Sequence, residues 1–172
     1  MDHSQQRVQH AIAFLCFFAS GFAGLVYEVS WIRQASLLLG ATTFAVSAVL
    51  AAFFGGLAVG SYLFGKISLQ TNRPLKLFAL LELGIGLLAI LSPYTFALSD
   101  NLYGFVFRAY GDSSVLLFFS RLILVALVVF PPALLMGGTL PLFCRQYVQK
   151  NTKIARHVGF LYAGNTWGAA LG

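Results

Sequence analysis

Charge is the scarcest property of this sequence. Only five acidic residues occur among 172, and charged residues make up 9%, against about 25% in soluble domains. So few charges cannot coat a water-facing surface, which excludes a soluble globular protein. Cysteine is equally sparse. Cys16 and Cys144 stand far apart, which points to inert core thiols rather than a disulfide or metal pair. The five acids are scattered, so the sequence assigns no catalytic residue and no metal site. A strand followed by a Gly-rich turn and a helix is missing as well, which removes the usual seat of a nucleotide cofactor. Gly137, Gly138 and Thr139 lie inside an apolar helical stretch rather than after a strand. No cofactor is expected in this chain.

What is present is long apolar sequence. Hydrophobic residues make up 59% of the chain and mean hydropathy is +0.82. No Lys, Arg, Asp or Glu occurs from Gln34 to Gly65, only Glu82 interrupts Leu77 to Ser99, and only Arg121 interrupts Ser113 to Cys144. A span of the ~30 Å hydrocarbon core takes ~20 helical residues. The fold class is therefore all-α, a polytopic transmembrane bundle with four full spans and a truncated fifth helix. Expected spans are 11–32, 43–65, 75–92, 115–147 with a kink at 131–132, and an incomplete 158–172. Tyr27 and Trp31 suit a membrane interface. Residues 34–43 read as a short connection. Pro93 is expected to end the third span, leaving an aromatic-rich interfacial segment or helix extension over 92–114. Arg7 with the following apolar run imitates a signal peptide, but the apolar pattern continues past Ala23 and further spans follow.

The net charge of +6 sits beside the hydrophobic segments, so its partner is anionic lipid rather than nucleic acid. The basic clusters at Lys66–Lys76 and Arg145–Arg156 read as cytoplasmic, and the slightly acidic 92–114 loop as external. The N-terminus is then cytoplasmic, in a bacterial inner membrane. From Val158 to Gly172 only ~22 Å of helix is available, so the chain reads as a fragment, or as one piece of an assembly completed by further helices or subunits.

Small residues recur at helical spacing. Ala48, Ala52, Gly56 and Gly60 form one stripe, Gly164 and Gly168 another, and Gly21 and Gly24 share a face with Ser20 and Glu28. Such faces let helices approach closely in lipid. Polar residues inside spans mark function or structural pairing. Counting residues from the expected span ends puts Glu28 and Arg121 in an outer layer, ~8–10 Å deep and suited to pair, and Glu82, Thr139 and Asn165 in an inner one.

Several blocks resemble a known family. They are Ser-Gly-Phe-Ala-Gly-Leu-Val-Tyr-Glu at 20–28, Ala-Ala-Phe-Phe-Gly-Gly-Leu-Ala-Val-Gly-Ser at 51–61 and Arg-Pro-Leu-Lys-Leu-Phe-Ala-Leu-Leu-Glu-Leu-Gly-Ile-Gly at 73–86. Pro-Pro-Ala-Leu-Leu-Met-Gly-Gly-Thr-Leu-Pro at 131–141 and Leu-Tyr-Ala-Gly-Asn-Thr-Trp-Gly-Ala-Ala-Leu-Gly at 161–172 complete the set. In this order they resemble the N-terminal membrane region of bacterial fused membrane spermidine synthase-like proteins, the major-facilitator/spermidine synthase fusions. The resemblance implies a membrane module that tethers or feeds an aminopropyltransferase-like domain further along, with a polyamine or other small cation as possible ligand. Two other readings remain open: a transporter-like half-bundle whose carboxylates bind a cationic or amphiphilic substrate, and a structural membrane subunit.

The topology is testable by single-cysteine labelling in a background lacking Cys16 and Cys144. A cysteine at position 73 is expected to react only from the cytoplasmic side and one at position 100 only from outside. Labelling of position 73 from outside alone overturns the orientation.

Overall fold

The computed structural model describes residues 3–40, 42–111, 113–148 and 154–172. Asp112 of the 92–114 loop and Lys150 and Lys153 of the Arg145–Arg156 cluster lie outside the described residues. Five helices make up the fold: α1 (His3–Leu39), α2 (Thr42–Gln70), α3 (Pro74–Tyr110), α4 (Ser114–Val148) and α5 (Ile154–Leu171). Four stretches are long and apolar enough to cross a membrane: Phe14–Leu39, Thr43–Gln70, Pro74–Tyr110 and Ser114–Arg145. The protein is an all-helical, multi-pass membrane protein.

The helices are longer than the sequence pattern suggested. α1 does not stop at Arg33 but runs to Leu39, burying Ala35, Leu38 and Leu39. It ends where Gly40 takes a φ of +71°, a left-handed conformation open to glycine at little cost. The expected connection over 34–43 therefore shrinks to two residues. Trp31 consequently lies inside the helix rather than at an interface. It is 1% exposed and its ring packs on Phe53 at 6.4 Å.

α3 likewise continues through Pro93 to Tyr110. Proline cannot donate to the carbonyl four residues back, which here belongs to Ala89. The Ser92 hydroxyl takes that place, donating to the Ala89 carbonyl at 2.8 Å. The Thr95 and Ser99 hydroxyls donate to the Ser92 and Thr95 carbonyls at 2.9 Å. α4 also continues as one helix through Pro131, Pro132 and Pro141, none of which can donate to the carbonyl four residues back.

Contacts divide the chain into two compact units, residues 1–27 with 146–172, and residues 28–145. In the second unit α2 and α4 run parallel. Phe44 meets Phe118, Gly60 meets Leu134 and Phe64 meets Gly138, so the residue numbers rise together. A methyl group on Gly56 would come within 2.7 Å of the Ala133 Cβ, and one on Gly60 would overlap the Leu134 carbonyl. From the other side, Gly137 lies on the Leu57 backbone. α3 and α4 run in opposite senses, with Phe78 on Phe143, Leu135 on Gly84, and Tyr103 on Arg121. Val49, Val125, Val129 and Leu142 are fully enclosed between these helices.

In the first unit α1 and α5 are also parallel. Phe14, Phe18 and Phe22 of α1 lie against Gly164, Gly168 and Gly172 in strict four-residue steps, and Asn165 lies against Gly21. The Phe14 ring packs on Phe160 at 4.7 Å. Gly24 faces open space, so it takes no part in this contact. Cys16 and Cys144 are both free, and Cys16 is exposed rather than enclosed.

Gly60→Leu is expected to abolish folding or yield, because its side chain has no room beside α4. Gly86→Ala meets nothing within 4 Å and is expected to be neutral or to stabilise by up to about 1 kcal/mol through helix propensity. Detergent-solubilised yield and thermal unfolding measure both. Equal tolerance at the two positions contradicts the packing.

Candidate functional site

Glu28 and Arg121 do not pair. Glu28 is half-buried on α1, and among the described residues it forms no hydrogen bond or ion pair. Arg33, the alternative partner in sequence, is exposed. Arg121 instead turns to α3. Its Nη2 donates to the Tyr103 hydroxyl, and its Cζ stands 4.3 Å from the centre of the Tyr103 ring. Its Nε is buried without any partner. A cation over an aromatic face contributes ~0.5–2 kcal/mol, more as water is excluded. The sequence hid this arrangement because Pro93 was expected to end α3. Once the helix continues, Tyr103 comes level with Arg121.

Arg121 and Arg145 flank the most apolar part of α4. Between Arg121 and Arg145 lies a charge-free run, Leu122 to Cys144. The 24 steps from one arginine to the other rise ~36 Å at ~1.5 Å each, close to one hydrocarbon thickness of ~30 Å. On α3 the 27 steps from Lys76 to Tyr103 rise ~40 Å, so the two helices give the same levels. Arg145 closes the run, and its Nε too is buried without a hydrogen-bond partner among the described residues.

The inner polar residues are placed as follows. Thr139 is 8% exposed and donates to the Met136 carbonyl of its own helix at 2.8 Å. That closes its hydroxyl donor locally, in the manner of helix-interior threonines. Glu82 is half-buried on α3 and is engaged by a partner. Asn165 belongs to the other unit, half-buried against Gly21. Of the small residues, Ala52, Gly56, Gly60, Gly164 and Gly168 are buried and Ala48 is half-buried.

Two tyrosine–cation pairs stand out beyond the sequence reading. Besides Tyr103 with Arg121, the Lys66 Nζ donates to the Tyr62 hydroxyl at 2.6 Å and lies 4.3 Å from its ring centre. The four-residue spacing of Tyr62 and Lys66 was a legible signal. The 18-residue separation of Tyr103 and Arg121 was not. A shallow hollow of about 480 Å³ adjoins Phe105, Arg108 and Ala109, with no acidic or nucleophilic side chain among the described residues lining it. No group of three or more metal-ligating side chains occurs among the described residues.

No known protein family, characterised protein or solved structure matches the chain.

Two double-mutant cycles test the arginine's partner. Glu28→Gln and Arg121→Gln are expected to add within about 0.5 kcal/mol in thermal or chemical unfolding. Tyr103→Leu and Arg121→Gln are expected to couple by about 0.5 kcal/mol or more. Coupling in the first cycle and additivity in the second restores the Glu28 pairing.

Proposed function

We propose that this chain is the integral membrane module of a spermidine synthase-like protein, tethering or feeding an aminopropyltransferase-like domain carried elsewhere in the same protein. The observation that carries the reading is where the family-like blocks fall. The Gly-rich block at 51–61 supplies Gly56 and Gly60, and the block at 131–141 supplies Ala133, Leu134, Gly137 and Gly138. The block at 161–172 supplies Gly164, Asn165 and Gly168, and the block at 20–28 supplies Gly21. These residues pack helix on helix, which supports the reading that the resembling blocks serve the membrane bundle. Only 17–28% of each span's most apolar window is buried, which leaves ample surface for lipid and for further helices.

A second reading has one observation in its favour. Glu28 is a carboxylate inside an apolar span with no polar partner among the described residues, and such groups commonly face a cation or proton path. On that reading the chain is part of a transporter for a small cationic substrate.

Continuing the coding frame past Gly172 tests the first reading, which expects a strand–Gly-rich turn–helix unit there. An unrelated domain overturns it. The second is decided by uptake of labelled spermidine into proteoliposomes. The module reading expects none above protein-free vesicles, whereas uptake lost in Glu28→Gln establishes transport.

A further inference from the structure

We propose that Arg121, held by Tyr103, is the headgroup site for the phosphodiester of an anionic phospholipid. Four observations converge on it. Arg121 is a permanent cation with no acid in contact: Tyr103, its only partner among the described residues, is a neutral phenol. Asp100 lies three residues before Tyr103 on α3 but is exposed and makes no ion pair with Arg121 among the described residues. Among the described residues, no acid therefore compensates the charge. Second, the charge-free helix between Arg121 and Arg145 rises about one hydrocarbon thickness, and the proposal accordingly sets Arg121 at the level of lipid phosphates.

Donor geometry supplies the third observation. A guanidinium has five N–H groups in a planar fork. One Nη2 hydrogen goes to Tyr103 and the Nε–H is enclosed. The remaining terminal N–H groups match two oxygens of a phosphate. Tyr103 fixes the plane from which they project, and Phe107, 6.3 Å from Tyr103, backs that ring. Fourth, the surroundings favour a lipid over a soluble phosphate. Phe107, Phe118 and Phe119 are exposed along the same tip of the α3–α4 hairpin. Aromatic side chains of this kind sit at headgroup level, against glycerol and the first acyl carbons. Arg108, five residues past Tyr103, lies ~140° around α3 and so faces away from the site. This proposal does not depend on the polyamine reading.

The test uses the purified full chain in a neutral detergent. Phosphatidylglycerol, phosphatidylcholine or inorganic phosphate is added, and bound lipid by native mass spectrometry and Tm are read together. Wild type is expected to retain phosphatidylglycerol and to gain Tm from it, since a ligand held by the folded state alone stabilises that state. Arg121→Gln is expected to lower lipid occupancy about tenfold or more and to erase the lipid-induced rise. Arg121→Lys, which keeps charge and fold but loses the fork, is expected to fall between. Arg108→Gln should match wild type. If Arg121→Gln fails to fold, Arg121→Lys and Arg108→Gln decide. The proposal is overturned if both Arg121 variants keep wild-type occupancy and Tm gain, or if Arg108→Gln loses as much. Inorganic phosphate alone raising the Tm and displacing lipid would make a free anion the ligand and also overturn it. A purely structural Tyr103–Arg121 contact lowers the basal Tm but leaves the lipid-induced rise intact.

Discussion

In lipid, burying apolar side chains supplies no drive toward association, because the acyl chains are as apolar as the helices. Cohesion must come from close packing, and packing strengthens as backbones approach. The α2–α4 contact rests on this constraint. Gly56 and Gly60 offer no side chain to α4, and Gly137 offers none to α2, so main chain lies on main chain. The rest of the second unit follows. With α2 and α4 parallel, α3 must return between them in the opposite sense, and its pairing with α4 from Phe78–Phe143 to Tyr103–Arg121 is the result.

The proline-bearing helices show how such segments stay regular. At Pro93 a serine hydroxyl occupies the carbonyl that the ring leaves without a donor. The repair is local, made by the Ser92 hydroxyl alone, and α3 runs 37 residues. That length, ~55 Å, exceeds a hydrocarbon core and brings the aromatic end of α3 level with the beginning of α4. That end of the hairpin has specific chemistry, an arginine braced by a tyrosine.

The fold class and the number of spans were legible because both depend on composition and charge spacing. Which residues would pack was legible at Gly56 and Gly60, where the four-residue register could be read along one helix. Helix ends were not. Arg33 and Pro93 look like stops when read singly, yet neither ends its helix, because apolar residues beyond Arg33 are buried and Ser92 compensates Pro93. The same error hid the partner of Arg121: a depth counted from a misplaced end paired it with Glu28, whereas the contact depends on an α3 long enough to present Tyr103. Pairings between helices need levels on both, and sequence spacing fixes levels only along one.

The parallel sense of α1 and α5 has a consequence in time. Neighbouring helices in a chain form hairpins and run in opposite senses, so a parallel partner must come from elsewhere in the sequence. Phe14 waits for Gly164, 150 residues later, through the synthesis of three intervening helices. A ribosome adding about 5–20 residues per second leaves the ridge of Phe14, Phe18 and Phe22 without its glycine groove for ~8–30 s. During that interval the ridge faces lipid, or the insertion machinery that shelters it. The order of synthesis therefore delivers α1 to the bilayer three helices ahead of the glycine neighbour it packs on.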